Sequence, residues 1–301
     1  MDLRKHPKPC PVLTPENIEA VRKYFEQNPR ASIRKSAPLL NMSRETLRYC
    51  LRKILRLFPY KISTAQRLTE ASKLARETFC GQILGEIHGE TAPFNRIIFT
   101  DEAHFYLDGF VNRQNYRFWG SERPVFQLEK NLHPAKVTFW AAFTIHGVFL
   151  HHFTETVNSE RYCKMLTEKW IPVAREKGVI DGWYFMQDGA PPHRTRDAFN
   201  ILHQHYGNRV IAYGFPDKMG CGIDWPPYSP DLTPCDYYLW GYLKDAAYRA
   251  APKTLDELIA SVYSSLSTIT HEILNKVVEN FVKRLEYCYM QNGGHFEKIY
   301  H

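Results

Sequence analysis

Two short apolar runs that each lead to a carboxylate constrain the fold of this chain most. RIIFTDEAHF brings Ile97, Ile98 and Phe99 up to Asp101, and GWYFMQ leads directly to Asp188. Runs of β-branched and aromatic residues this short favour strands over helices. A charge carried on a buried run is costly unless something uses it. Three more strand-like runs, NYRFWG, KVTFWAAFTIHG and VFLHHFTETV, lie between the two aspartates, the last two joined at Gly147 as a hairpin. An amphipathic helix (SERYCKMLTEKWIPVAREKG) precedes GWYFMQ, and a helix from about residue 194 to 206 and the strand RVIAYG follow it. Antiparallel strands first, then alternating helix and strand, predict an α/β core around a mixed sheet. Helical runs at about 254–268 and 271–291 finish the chain.

The front of the chain follows a different period. Thr14 caps a helix with Pro15 at its first position, and Ile18, Val21 and Phe25 share one face of it. A second helix starts near Ser32. The turn Asn41–Met42 follows, and Ser43 caps a third helix that buries Leu47, Leu51, Ile54 and Leu55. Helix, tight turn and capped helix make a helix-turn-helix pattern. Arg44, Arg48 and Arg52 fall on one face of the third helix, with Thr46 and Lys53 nearby. Between Arg30 and Lys61 there are nine Lys or Arg residues and one acidic residue, Glu45, which favours a polyanionic partner. A three-helix bundle with a solvated arginine stripe fits the same residues. A linker (PYKIST) and a helical stretch, QRLTEASKLARETFCGQIL, lead into the core.

The remaining composition narrows the chemistry. Seven cysteines are scattered without a C-x-x-C pair, so neither a zinc ribbon nor a disulfide framework is indicated, and free thiols in a reducing, intracellular setting are expected. No apolar stretch is long enough for a membrane span, and no secretory signal opens the chain. Phosphate loops, nucleophile elbows, G-x-G-x-x-G turns and H-E-x-x-H helices are all absent from the sequence.

A third aspartate, Asp236, lies just inside a helix start after the proline-rich WPPYSPDLTPC. Three carboxylates converging from separate elements suit hard divalent cations, because clustered carboxylates repel unless cations neutralise them. Among 32 acidic residues such triplets also arise by accident, so metal binding competes with a purely structural reading. Glu102 points to the opposite side of an extended chain from Asp101. Asp231 reads as an Asx-type turn former, and Asp108, Asp217 and Asp224 as loop residues. His193 could bind metal or phosphate, or serve a helix start. His151 and His152 alternate faces, which argues against a shared metal.

FTDEAHF, QDGAPPH and SPDLTPCDYYLWG, in this order, resemble the three catalytic blocks of mariner-like transposases of the Tc/mariner superfamily. SIRKSAPLLNMSRETLRYCLRKIL resembles that family's second helix-turn-helix unit, and PYKI with the QRLT helix its linker. The resemblance implies a small all-α helix-turn-helix domain (1–57), a linker and connecting helix (58–94), a ribonuclease-H-like catalytic core (95–250) and C-terminal helices packed on it (251–301). It implies a nuclear DNA transposase that binds terminal inverted repeats and target DNA, with a homodimer as the assembly it allows. Cleavage and strand transfer would use two Mg2+ or Mn2+ ions held by Asp101, Asp188 and Asp236. Ser43, Arg44, Thr46, Arg48, Arg52 and Lys53 would contact DNA, with His193 as a possible accessory group. The alternative it leaves is a catalytically silent, host-adopted DNA-binding protein with the same fold. Three departures stand out: room for one helix-turn-helix unit rather than two, Gly189 where many relatives carry Asn, and a long interval between Asp188 and Asp236.

Overall fold

The computed structural model describes residues 13–29, 31–59, 67–88, 94–108 and 135–297. The strand expected at NYRFWG and most of the PYKIST linker lie outside these residues. The chain divides into two compact units, residues 1–65 and 66–301.

The first unit contains α1 (Pro15–Gln27), α2 (Ile33–Leu39) and α3 (Arg44–Tyr49), which runs on into a wider π-helical turn, Cys50–Ile54. Each start is capped by the hydroxyl its sequence offers. Thr14 accepts from the Asn17 N–H (3.3 Å), Ser32 from Lys35 (3.3 Å) and Ser43 from Thr46 (3.0 Å), each cap contributing about 1 kcal/mol. Asn41 takes the left-handed conformation (φ 49°) that lets the chain turn between α2 and α3. Val21, Ala37, Met42, Leu47, Cys50 and Leu51 form the buried centre.

The second unit begins with α4 (Glu70–His88) and builds a five-stranded mixed sheet from β1 (Ile97–Tyr106), β2 (Lys136–Thr144), β3 (Gly147–Phe153), β4 (Tyr184–Met186) and β5 (Val210–Ile211). The strand order is β3-β2-β1-β4-β5. β1, β2 and β3 pair antiparallel, with β2 and β3 forming the hairpin at Gly147, whereas β4 runs parallel to β1 and to β5. Between β3 and β4 come α5 (Ser159–Met165), a π turn and α6 (Ile171–Glu176). α7 (Arg196–Tyr206) joins β4 to β5, and α8 (Phe215–Met219), α9 (Trp240–Arg249), α10 (Leu255–Leu266) and α11 (His271–Met290) follow.

The strand period of two divides the core into two layers. Phe99, Phe105, Phe139 and Phe143 face α4, α9, α10 and α11. Ile98, Trp140 and Phe185 face α5, α6 and α7. Aromatic edge contacts lock each layer, Phe99 against Phe281 (4.9 Å) and Trp140 against Trp170 (5.6 Å).

Three expectations change, the first being Ile54, which the third helix leaves exposed and not buried. Asp101 does not end a strand: β1 continues to Tyr106, because β2 pairs with it along nearly its whole length. Asp101 lies instead just past the point where the shorter β4 stops pairing, at Phe99↔Met186. Asp231 is no turn former; its carboxylate is buried and takes a two-pronged bond from Arg76 of α4 (2.7 and 2.6 Å). No local turn motif foretells a partner so distant in the chain.

Candidate active site

β1 and β4 lie side by side, so the chain just beyond β4 delivers Asp188 next to Asp101. A turn from Trp225 to Thr233 then brings the start of a helix, and Asp236, across the same opening. The three aspartates line one cavity of about 490 Å3, bordered by Thr100, Met186, Tyr213, Trp225 and Tyr228. Thr100 donates to the Met186 carbonyl (2.7 Å), tying the floor of the cavity across the β1–β4 seam.

Each carboxylate has its own surroundings. Asp101 Oδ2 accepts from Trp240 Nε1 (2.8 Å). Burial, followed by the charges of Asp236 and Asp188, pushes its carboxyl well above the usual range. Burial likewise works against ionised Asp188, but the hydrogen bond and charge of His193, the Ala190 N–H (3.0 Å) and the Arg194 charge outweigh it and hold Asp188 low. Asp236 sits at the open edge, where burial and the Asp188 charge push it up to about 6. Lys244 acts in the opposite sense on Asp236.

His193 connects the two faces of the sheet. It is 1 % exposed, its Nδ1 lies 2.6 Å from Asp188 Oδ1 and its Nε2 3.2 Å from Glu102 Oε1. Glu102 points away from Asp101, as strand alternation requires, and meets His193 on the far side. Burial opposes a charged imidazole, yet the two carboxylates raise it to about 9, so it is a cation at neutral pH. Tyr162 packs on its ring (4.2 Å between centroids), and Gln187 holds its carbonyl (2.9 Å) while accepting from Tyr162 Oη (2.6 Å).

Hard oxygen donors, mutually repelling and half-buried, fit Mg2+ or Mn2+, which complete their shells with water and phosphate oxygens. Side-chain hydrogen bonds engage Oδ2 of Asp101 and Oδ1 of Asp188, and both residues line the cavity. Among the described residues no three His, Cys, Asp or Glu side chains converge on one point, so the protein offers an open donor set rather than a closed cage.

In the first unit Arg44, Arg48, Arg52 and Lys53 are solvent-exposed. Arg48 pairs with Glu45 (3.0 Å). The hydroxyls of Ser43 and Thr46 bond to each other (2.8 Å) at the start of α3. Arg194 lines the cavity, Trp240 reaches it through its bond to Asp101, and Glu102 meets His193 from the other side; sequence reasoning assigned none of these contacts. The tryptophan of YYLWG and the arginine after PPH are visible in the sequence, but only the fold shows what they face.

Residues 96–259, more than half of the chain, match the family model described as DDE superfamily endonuclease. The chain belongs to that family. It is 26% identical over 251 residues to the Tc3 transposase of Caenorhabditis elegans, covering 82% of this chain and 68% of that protein. It is 25% identical over 293 residues to the human histone-lysine N-methyltransferase SETMAR, covering 93% of this chain but only 40% of SETMAR's length. The fold matches a Mos1 transposase paired-end complex with its left transposon end at a TM-score of 0.72 and 18% identity, covering 98% of this chain and 83% of that one. A Mos1 mariner paired-end complex with Mn matches at 0.70 and 19% identity, with the same coverage. The mariner-like resemblance and the ribonuclease-H-like core expected from the three motif blocks hold for this DDE endonuclease.

Proposed function

We propose that this chain is a DNA transposase, or a nuclease derived from one, which cuts phosphodiesters at the ends of its element and joins the freed 3′ end to target DNA. The observation that carries this reading is the meeting of Asp101, Asp188 and Asp236 on the wall of one cavity beyond the end of β4. Two bound Mg2+ or Mn2+ ions would activate the attacking oxygen and stabilise the leaving one. Asp101 and Asp188 would each offer the oxygen that Trp240 and His193 leave free, and Asp236 would complete the set from the open edge. His193 orients Asp188 and partly offsets the crowd of negative charge. Water attack on phosphorus releases a 3′-hydroxyl, which then attacks a target phosphodiester.

Arg44, Arg48, Arg52 and Lys53 would meet phosphates and base edges of the terminal repeats, with Ser43 and Thr46 fixing the start of the reading helix. The Mos1 structures are paired-end complexes, one of them with its left transposon end, which supports double-stranded DNA as the partner and a dimer as the working unit; the nucleus is the place that goes with such a partner. Single-turnover cleavage of element-end DNA in Mn2+ tests the reading. Asp188→Ala should lose activity on the order of a thousandfold or more, as when one member of a catalytic unit is removed. Equal cleavage by Asp188→Ala would overturn the assignment, and DNA binding without cleavage in either metal would favour a DNA-binding protein that keeps only the scaffold.

A further inference from the structure

Among the described residues, one cation at the carboxylate cavity has no carboxylate partner. Arg194 lines that cavity, its charge is felt by Asp188, and its Nε is buried without any hydrogen bond. Among the described residues no carboxylate stands within ion-pair distance of it; Asp188 is bonded to His193 instead. A guanidinium presents five donors in a planar fork and resists desolvation unless those donors are used. Its position is nevertheless fixed. The guanidinium lies over the Tyr213 ring, 5.3 Å from the centroid, a cation–π contact that keeps the fork available. The Arg194 backbone carbonyl accepts from Lys218 Nζ (2.5 Å).

Gly189 gives that ring its place. A Cβ on Gly189 would lie 3.2 Å from Tyr213 Cβ and 3.3 Å from Cδ1, tighter than packed atoms accept without shifting. A side chain there would make the Tyr213 ring, the platform of Arg194, give way by a few tenths of an ångström. Gly189, the Tyr213 ring and Arg194 are thus parts of one arrangement.

We propose that Arg194, carried on the Tyr213 ring in the space that Gly189 leaves open, binds a phosphodiester of the DNA strand beside the carboxylates. The ligand chemistry follows from the site: a planar fork matches two phosphate oxygens, and a cation here draws a polyanion into a cavity whose aspartates would otherwise repel it. The inference rests on the proposed DNA-cleaving function, and the test separates the two.

Element-end duplexes carrying a single neutral methylphosphonate, at the scissile phosphate or at either neighbour, are compared with unmodified duplex. Binding is read by fluorescence anisotropy and single-turnover cleavage in Mn2+, for the parent chain and for Arg194→Gln. At one of the three positions the parent should lose about tenfold or more in affinity, the size of one charge-assisted hydrogen bond. Arg194→Gln should lose as much on unmodified DNA and nothing further at that position, while its thermal midpoint stays close to the parent value. Arg194→Lys should restore only part, since a point charge cannot grip two oxygens. Gly189→Asn, which keeps the arginine but shifts its ring, should weaken binding in the same direction as Arg194→Gln and by less. Penalties that multiply at all three positions in a parent that binds and cleaves would overturn the arginine's role alone. A parent chain that neither binds nor cleaves would overturn the function beneath it as well.

Discussion

Two arginines of the second unit divide the labour that buried charge can do. Arg76 is fully buried and spends every donor. Nε bonds to the Gly293 carbonyl (2.8 Å), Nη1 to Ser229 Oγ (2.9 Å) and Asp231 (2.7 Å), and Nη2 to Asp231 (2.6 Å) and Cys288 Sγ (3.4 Å). It joins α4, the end of α11 and the SPD turn that leads to Asp236. Arg284 extends the network through Nη1, donating to the Asp231 carbonyl (2.9 Å) and to Glu297 (3.0 Å), while its own Nε is buried without a hydrogen bond. Around the aspartate cavity the opposite holds: among the described residues Arg194 has no ion-pair partner, and three carboxylates share space with His193. A closed network fixes a backbone, whereas an open set of charges is held for something that arrives from outside. The Ser and Asp of SPDLTP thus belong to the frame, and the later Asp236 to the site the frame presents.

The largest predicted effect breaks the closed side. Arg76→Met leaves Asp231 buried without its cation and should cost about 3–5 kcal/mol in urea unfolding. Adding Asp231→Leu should recover most of that loss, because an apolar pair of similar volume avoids the desolvation penalty. Arg194→Gln, which gives up only the contact with the Tyr213 ring, should cost no more than about 1 kcal/mol. If Arg76→Met and Arg194→Gln cost the same, the division into closed and open networks is wrong.

The second prediction concerns the open side and its pH dependence. Asp236 titrates near 6 in the fold against an ordinary 3.8. The folded state therefore binds more protons across that interval, and stability falls as pH rises through it. Asp101, also raised, acts in the same sense. His193, raised to about 9 from 6.5, gives stability that is whole below 6.5 and lost as pH climbs through 9. Asp188, held low, matters only in more acidic solution. The metal-free protein should thus melt progressively lower from about pH 5 to about pH 9. Millimolar Mg2+ should raise the midpoint more at about pH 8 than at about pH 5.5, because the cation needs ionised carboxylates. An equal gain at both pH values would count against the three aspartates as its ligands.

What the sequence made legible follows the range of the forces involved. Caps at Thr14, Ser32 and Ser43, the turn at Gly147 and the alternation along β1 are local, and each could be read from a few adjacent residues. The aspartates could be read because their neighbours form ordered blocks. Asp101's place beyond the end of β4 could not, since it depends on β4 being only three residues long. Neither could the partners of Asp231, Glu102 and Arg194. Arg76 meets Asp231 across 155 positions and Glu102 meets His193 across 91, and nothing in the local pattern of either residue records the other.

A third arginine gives the mildest test of the contrast. Arg48 on α3 is neither enclosed nor held over a cavity: it is about half exposed and paired with Glu45 one turn away. Such a pair contributes at most about 0.5 kcal/mol to the helix, so Arg48→Glu should barely move the melting midpoint. If α3 lies along DNA, the change removes a phosphate contact and adds a repulsion. Affinity should then fall at low salt for every duplex sequence, and the slope of log affinity against log salt should flatten by roughly one unit. A parallel loss at all salt concentrations, with the slope unchanged, would move α3 off the phosphates. Charge at the front would then do no more than keep the first unit soluble, and delivery of DNA to the cavity would fall to the second unit, with Arg194 as its first cation.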